Sequence, residues 1–239
     1  MNKNNSRSMP TVSDHSRIAE SAPQFQHNID RMRRAHAWVE RSEKKGTEDI
    51  ERFMFLWVAF NAAYGDESAL RDFVDNPDKK KSESDRFLRF LRSIVEQDES
   101  GSLQRIVWKE FSGPIRVLLN NHYVFLPFWK SVWESRPNND WKQRFGNEKN
   151  RVQKALSNQD TFTVLSIVFH RLYVLRNQIF HGGATWPSGF GRDQIRDGSR
   201  IMASLIPAII DIMQRDISRD QDSETWGKVA YPRINAEPE

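Results

Sequence analysis

The residues best suited to chemistry in this chain lie in one short stretch, residues 175–183. Arg176 and His181 are five positions apart there, and Gly182 and Gly183 follow directly. A guanidinium pairs with phosphate oxygens through a planar, two-pronged contact, and an imidazole group titrates near neutral pH. The two groups together are the minimum needed to cleave RNA, because one binds the phosphate while the other moves a proton.

The same stretch is predicted to end an amphipathic helix. On a regular helix Arg176 and His181 lie ~140° apart around the axis and ~7.5 Å apart along it. We therefore expect them to converge only where the helix ends, and the two glycines predict that end because glycine tolerates the left-handed conformation. Upstream apolar residues recur at three- and four-residue steps, as on one helical face: Phe162, Leu165, Val168, Leu172, Leu175 and Ile179.

The motif resembles one found in a known family. Arg176-Asn177, three further residues and His181 resemble the R-x4-6-H motif of the HEPN superfamily, whose members are all-helical ribonuclease and nucleotide-binding domains. The resemblance covers roughly residues 26–215. Further segments that resemble bacterial HEPN-domain proteins are residues 55–64, 174–186 and 192–198.

The resemblance implies an all-α, HEPN-like helical bundle that forms a homodimer, with the two motif helices near the twofold axis. Many members cleave RNA without a metal, often as toxins or antiviral defence effectors that an antitoxin or regulatory protein neutralises. Other members have lost activity and only bind RNA, nucleotide or a protein partner. Both functions stay open for this chain, and the first makes Arg176 and His181 the catalytic residues.

In the catalytic interpretation, the ribose 2′-hydroxyl attacks its own phosphate and leaves a 2′,3′-cyclic phosphate. His181 would act as general base or general acid, and Arg176 would stabilise the charge that grows on the phosphate oxygens. One histidine supplies only half of an acid–base pair, so a symmetric dimer would supply the second copy. Asn177 could support the site by orienting the imidazole or touching phosphate.

A polar row is predicted opposite the apolar stripe of the motif helix. His170, Asn177 and His181 fall within ~40° of one another on the helical wheel. Such a row suits a surface that meets a second subunit or RNA, and His170 is therefore predicted to bind RNA. In the alternative, His181 only caps the last carbonyls of its helix and Arg176 only forms a salt bridge.

Three further residues are assigned outside the motif helix. Asn61 lies in an apolar helix, where its amide either supports Arg176 or bonds a backbone carbonyl. Trp186 and Arg192 follow His181 closely and are predicted to contact RNA. Residues 104–156 contain ten Lys and Arg but only four Asp and Glu, and aromatic residues are interleaved with these charges. This block therefore either binds RNA or forms part of the core.

Composition limits the classes of protein that remain. The chain has 239 residues, a net charge of +4, a pI near 9.4 and 38% hydrophobic residues, which allows a substantial core and favours an anionic partner. Cysteine is absent, so disulfides, thiol nucleophiles and thiolate zinc sites are excluded. No histidine pair has metal spacing, and we expect no metal and no cofactor. With no apolar leader or membrane span in the sequence, we expect a cytoplasmic protein.

The chain is predicted to form one domain with short extensions. Residues 1–24 are rich in Ser, Asn and Pro and are predicted to be a flexible arm. Residues 25–218 form the helical domain, with extra helices inserted at about 104–157, before the motif helix. Residues 219–239 are predicted to be a polar tail. We also expect the apolar stripe of the motif helix to pack on the helix of residues 53–64.

Overall fold

The computed structural model describes residues 23–68, 80–110, 112–134, 140–183 and 191–232. These ranges contain α-helices and no strand, apart from one isolated bridge between Asp66 and Val229, so the all-α prediction is confirmed. None of their helices is long and apolar enough to cross a membrane. The helices are α1 Gln24–Ser42, α2 Asp49–Tyr64, α3 Lys80–Glu96, α4 Ser102–Arg105, α5 Ser112–Asn120, α6 Leu126–Trp133, α7 Asp140–Ser157, α8 Thr161–Phe180 and α9 Arg192–Arg219.

Helix α8 is the predicted motif helix and lies in the interior of the bundle. Asp160 caps its first turn, where the carboxylate accepts a hydrogen bond from the backbone N–H of Thr163 at 2.9 Å. That bond is the main cause of the lowered pKa of Asp160. The helix ends at Phe180 with His181 as its C-cap, as the apolar spacing and the glycines predict. Ten of its 20 residues are buried, so most of its circumference is covered by other helices.

Helices α2 and α8 are in contact, as expected, but through different side chains from those predicted. The Phe60 and Phe169 rings stack with centroids 4.8 Å apart, and Trp57 meets Tyr173 at 6.2 Å. Phe169 and Tyr173 lie ~40–80° from Leu165 on the helical wheel, so α8 is rotated relative to the predicted stripe. Large rings fill more of the space between helices than leucine does, which favours this orientation.

A close approach of α9 brings three helices together. A Cβ atom on Gly198 of α9 would lie 2.8 Å from Cδ2 of Leu175 and 3.5 Å from Cδ2 of Leu172 in α8. It would also lie 3.3 Å from Cε2 of Phe53 in α2. Because any side chain at this position would displace core groups, glycine sets the spacing of α2, α8 and α9.

The segment predicted as an insertion is part of the main hydrophobic core. It contains a π-helix, Ile106–Glu110, and a short 3-10 helix, His122–Val124, besides helices α4 to α7. Most of its buried apolar side chains join the core formed by α1, α2, α8 and α9, whereas Phe125 packs outside that core on Phe145 and Arg171. The members that join the core are Ile106, Val107, Ile115, Leu118, Leu119, Val124, Val152 and Ala155.

The two ends of the chain are described only in part. Residues 1–22 of the predicted arm lie outside the described residues, while residue 24 already begins α1. Helix α9 ends at Arg219, and the predicted tail then returns to the bundle over residues 220–232. Trp226 and Val229 are buried there, because removing apolar surface from water lowers the free energy of the folded state.

Arg31 holds these segments together from a fully buried position in α1. Its Nη1 donates to the carbonyl oxygens of Ala63 and Gly65 at 2.7 and 2.8 Å, at the C-terminus of α2. Its Nη2 donates to the carbonyl oxygens of Trp226 and Gly227 at 2.8 and 3.1 Å. Burial lowers the pKa of Arg31 to about 10, so the guanidinium stays charged at neutral pH.

Replacing Arg31 should therefore test how much the bundle depends on this one side chain. Arg31→Met keeps the length but leaves four carbonyl oxygens without their donors, and we expect a loss of about 3 kcal/mol or more in the free energy of unfolding. The measurement is urea denaturation followed by circular dichroism. Lys45→Met, at an exposed position after α1, should change stability by less than ~0.5 kcal/mol. Equal effects of the two substitutions would contradict the anchoring role.

Candidate active site

The end of α8 has a specific backbone conformation that the Gly182-Gly183 pair makes possible. The N–H of Gly183 donates to the carbonyl of Gln178 at 2.7 Å, and the N–H of Gly182 donates to Ile179 at 3.2 Å. These two bonds form a Schellman motif, which needs a left-handed residue just after the C-cap. Gly182 supplies it with φ of +72°. The chain thus turns away immediately after His181, and that residue is left at the tip of the helix.

Arg176 lies just over one turn before this tip and is directed along the helix surface. Its Nη1 donates to Oδ1 of Asn177 at 2.9 Å, and its guanidinium carbon lies 4.4 Å from the centre of the Phe180 ring. The structure shows no carboxylate paired with Arg176 among the described residues, so it does not support the alternative of a structural salt bridge. Its Nε is buried and has no hydrogen-bond partner there. Because this atom is inaccessible to solvent, it is not a donor for an incoming anion in this conformation.

His181 shares its local structure with Asn177. The backbone N–H of His181 donates to the carbonyl oxygen of Asn177 at 3.0 Å, while the side chain of Asn177 accepts from Arg176. Asn177 therefore bonds to both members of the motif. The His181 side chain is exposed, and within the described ranges no polar group bonds its ring, so it does not cap the last carbonyls of α8.

The predicted polar row of α8 is at the protein surface. His170 and His181 are exposed and Asn177 is half-buried. Two large rings of the same helix are exposed beside them, Tyr173 at 44% and Phe180 at 47%. The exposed strip of α8 thus combines two rings with polar side chains, a composition that is compatible with contact to another molecule.

His170 has a local partner in addition to its predicted role in RNA binding. Its Nδ1 lies 2.6 Å from the carbonyl oxygen of Ser166, one turn earlier. An acceptor at this distance requires the proton on Nδ1, which leaves Nε2 as the free acceptor of the ring. The ring also meets Phe87 edge-on at 5.9 Å, so the backbone and α3 fix its orientation.

Asn61 does not occupy the environment predicted for it. Its side chain is exposed, whereas the prediction rested on a buried amide that needs a partner. The antiparallel ring contacts between α2 and α8 place Arg176 level with the first turns of α2, about 10 Å along the axis from Asn61. The correction follows from packing: α2 is covered mainly by α1 and α9, and Asn61 faces the open side.

The two remaining predicted contacts follow α8 in the sequence. Arg192 is the exposed first residue of α9, directly after Gly191, whose φ is +82°. Trp186 falls within residues 184–190, which lie outside the described residues. The participation of both residues in RNA binding therefore stays a prediction.

A small cleft beside the motif was not predicted. It is lined in part by Tyr123, Trp129, Gln178, Gly183 and Gln194, and it has a volume of about 50 Å³. Gln178 Nε2 and Trp129 Nε1 each donate to the carbonyl oxygen of Tyr123 at 2.6 Å, which ties the end of α8 to the 3-10 turn. No local pattern indicated this cleft, because Gln178 follows Arg171 on the same side of α8 at a seven-residue step and does not stand out as polar there.

A buried ion pair that was also missed holds α7 against α8. Arg171 is buried, and its Nη2 donates to Oε1 of Glu148. Its guanidinium also lies 4.4 Å from the centre of the Phe125 ring and 5.1 Å from that of Phe145. Burial lowers the pKa of Arg171, and Glu148 opposes that shift. Arg171 was not predicted because sequence alone does not show which acid will face it.

The chemistry of the candidate site is inferred from these side chains. The described part of the chain holds no group of three or more His, Asp or Glu that could bind a metal ion. Comparison of the chain with family models, with curated proteins and with solved structures found no match. What the arrangement offers chemically is one exposed imidazole, one guanidinium without a carboxylate partner among the described residues, and an amide bonded to that guanidinium.

The conformation of the helix end can be tested with two glycine substitutions that should change the free energy of unfolding in opposite directions. Gly182→Ala forces a side chain into the left-handed region and should lower the free energy of unfolding by ~1 kcal/mol. Gly146→Ala, in the exposed interior of α7 with no atom within 4 Å, should raise it by ~0.5–1 kcal/mol. Chemical denaturation measures both, and a stabilising Gly182→Ala would contradict the Schellman motif.

Proposed function

We propose that this protein is a metal-independent endoribonuclease of HEPN type that acts as a toxin or antiviral defence effector. The observation that carries the proposal is the end of α8, where the Arg176 guanidinium bonds the Asn177 side chain and the exposed imidazole of His181 follows at the helix tip. The residue types match phosphodiester chemistry, and the Schellman motif leaves the imidazole accessible to a substrate. An antitoxin or other regulatory protein would be a further partner.

The proposed reaction is an internal transfer at phosphorus. The 2′-oxygen bonds to the adjacent phosphorus while the bond from phosphorus to the 5′-oxygen breaks, and the products are a 2′,3′-cyclic phosphate and a 5′-hydroxyl. One group must take the proton of the 2′-hydroxyl and another must give a proton to the 5′-oxygen. His181 is the residue for one of these transfers. Arg176 binds the non-bridging oxygens through its guanidinium and stabilises the charge that grows on them.

The need for a second acid–base group favours a homodimer. A twofold axis near the polar row would bring two His181 imidazoles and two Arg176 guanidinium groups to one cleft. The exposed rings of Tyr173 and Phe180 lie on the same side of α8 and supply apolar area for such contact. Each protomer then contributes both a part of the interface and a part of the active site.

The alternative function is a non-catalytic module that binds RNA, nucleotide or a protein partner. One observation favours it: no described polar group orients the His181 ring within a single protomer. A binding module would still use Arg176 to hold a phosphate. The two functions differ in whether covalent cleavage occurs, so the same purified protein can distinguish them.

Substitutions at the motif test the catalytic function. His181→Ala and Arg176→Ala should each reduce the rate of RNA cleavage by ~10²–10⁴-fold, because proton transfer or charge stabilisation is lost. Arg176→Lys should also be poor, since an ammonium is a point charge and cannot make a planar two-pronged contact. Cleavage is measured by gel analysis of labelled RNA in EDTA, with end-group analysis for the cyclic phosphate.

The matched control is His36→Ala, which removes an exposed histidine from α1 and should leave the rate unchanged. Thermal unfolding of all variants should show that each remains folded. Full activity in His181→Ala, or activity only after Mg²⁺ is added, would show that the chemistry lies elsewhere. Tight RNA binding by a wild-type protein that never cleaves would support the binding module instead.

The homodimer is tested separately by sedimentation equilibrium. We expect a species of twice the 28.1 kDa chain mass at micromolar concentration, and Tyr173→Glu should shift it toward the monomer by burying a charge at the interface. Val117→Glu, at an exposed apolar position on α5, is the control and should leave the mass unchanged. A single 28.1 kDa species in the wild type would contradict the dimer.

A further inference from the structure

The exposed face of α7 has an unusual composition. Its cations lie in two rows on the helical wheel: Lys142 and Lys149 along one edge, and Arg144, Arg151 and Lys154 along the other. All five are exposed. Between the rows the wheel places uncharged, mostly amide-bearing residues, namely Gln143, Gly146, Asn147, Asn150, Gln153 and Ser157.

The two acids of this helix do not cancel the charge of that face. Glu148 is turned toward α8, where its carboxylate accepts from the buried guanidinium of Arg171. Asp140 is the first residue of α7, where the helix dipole favours a carboxylate. Asp160, beyond the other end, carries a charge that acts on Arg151. The face as a whole therefore keeps an excess of positive charge, with five cations against the two acids of the helix.

The aromatic residues of α7 support these cations rather than lying open themselves. Trp141 and Phe145 are half-buried and pack toward the core side. Lys142 Nζ lies 5.9 Å from the centre of the Trp141 ring, and Lys149 Nζ lies 5.8 Å from that of Phe145. A ring face attracts an ammonium group and limits its motion. The aromatic content of this helix therefore belongs to packing, and its charge belongs to the surface.

The direction of α7 connects this face to the candidate active site. Only Asn158, Gln159 and Asp160 separate α7 from α8, so the two helices run antiparallel. The Glu148–Arg171 pair fixes their register. Because each residue advances a helix by ~1.5 Å, the same register places Lys142 level with Asn177.

On the helical wheel Arg144 and Arg151 lie ~40–60° from Glu148, the residue turned toward α8. Lys142 and Lys149 lie ~100–120° from Glu148. The arginine edge of the cationic face is therefore the edge nearer α8, and the face extends ~18 Å along the axis from Lys142 to Lys154.

We propose that the exposed face of α7 binds the backbone of single-stranded RNA and leads it to Arg176 and His181. The inference rests on the proposed function and assigns the substrate path of that same site. The two rows of cations would hold phosphates, and the amides between them would bond riboses and base edges. A single strand fits because in-line attack by a 2′-oxygen needs a backbone geometry that a regular duplex does not adopt.

The surface chemistry favours RNA over a protein partner. No large hydrophobic side chain of α7 is exposed among the described residues. Protein interfaces have an apolar and aromatic centre surrounded by polar residues, whereas nucleic-acid interfaces are polar and positively charged throughout. The α7 face has the composition of a nucleic-acid interface, with cations at both edges and amides at the centre.

The test measures binding apart from cleavage. His181→Ala protein is titrated into a fluorescein-labelled single-stranded RNA of mixed sequence, and anisotropy is recorded over a range of salt concentrations. Adding Lys142→Gln, Arg144→Gln and Lys149→Gln should weaken binding about tenfold or more. The slope of log affinity against log salt should fall by ~2, since each lost phosphate contact on a single strand contributes ~0.7. The control adds Lys44→Gln and Lys45→Gln, at exposed positions after α1, and should change neither quantity by more than about twofold.

The outcomes separate this inference from the proposed function. If the wild type cleaves RNA but the triple substitution on α7 binds like its parent, the α7 path is wrong and the ribonuclease proposal stands. If the wild type does not cleave but binding and its salt slope depend on α7, the surface is correct and the ribonuclease proposal fails. Equal loss with the Lys44 and Lys45 control would show only general charge attraction and would overturn the inference. Circular dichroism melting of every variant should show an unchanged fold.

Discussion

The bundle depends on the guanidinium of Arg31, a charged group in the protein interior, where unpaired charges are costly. Arg31 is fully buried, yet its two terminal nitrogens bond four backbone carbonyls from two segments that are far apart in the sequence. Two of those carbonyls end α2, where the helix dipole leaves partial negative charge. The other two belong to the segment after α9. The four N–H donors of Arg31 take the place of water at these carbonyl oxygens, which would otherwise be buried without hydrogen-bond partners.

This anchor has consequences for the rest of the fold. It holds the end of α2 and the chain after α9 against α1, which encloses Trp226 at one end of the layer formed by α1, α2 and α9. Gly198 then sets how closely that layer approaches α8. On the other side, Arg171 and Glu148 attach α7. Helix α8 is thus held from two sides, and only a narrow strip of it reaches the surface.

The sequence predicted the fold where local signals are strong. The apolar spacing of α8 and the Gly182-Gly183 pair predicted a helix that ends at His181, because periodicity and glycine conformation are properties of neighbouring residues. Asn61 was placed in the wrong environment because its exposure depends on which helices cover α2, and no local pattern encodes that. Arg31 and Arg171 were not recognised for the same reason. A buried arginine is visible only when its distant acceptors are known.

The geometry of the motif explains why its two members need a helix end. Around a continuing helix the side chains of Arg176 and His181 would point ~140° apart. Here the Schellman motif stops the helix at His181, while the bond to Asn177 and the Phe180 ring draw the guanidinium of Arg176 along the surface toward that end. The Arg176 side chain is half-buried and lies against the Phe180 ring. The imidazole of His181 is exposed and stays free of the helix carbonyls, so an anion that approaches over the tip of α8 can reach it.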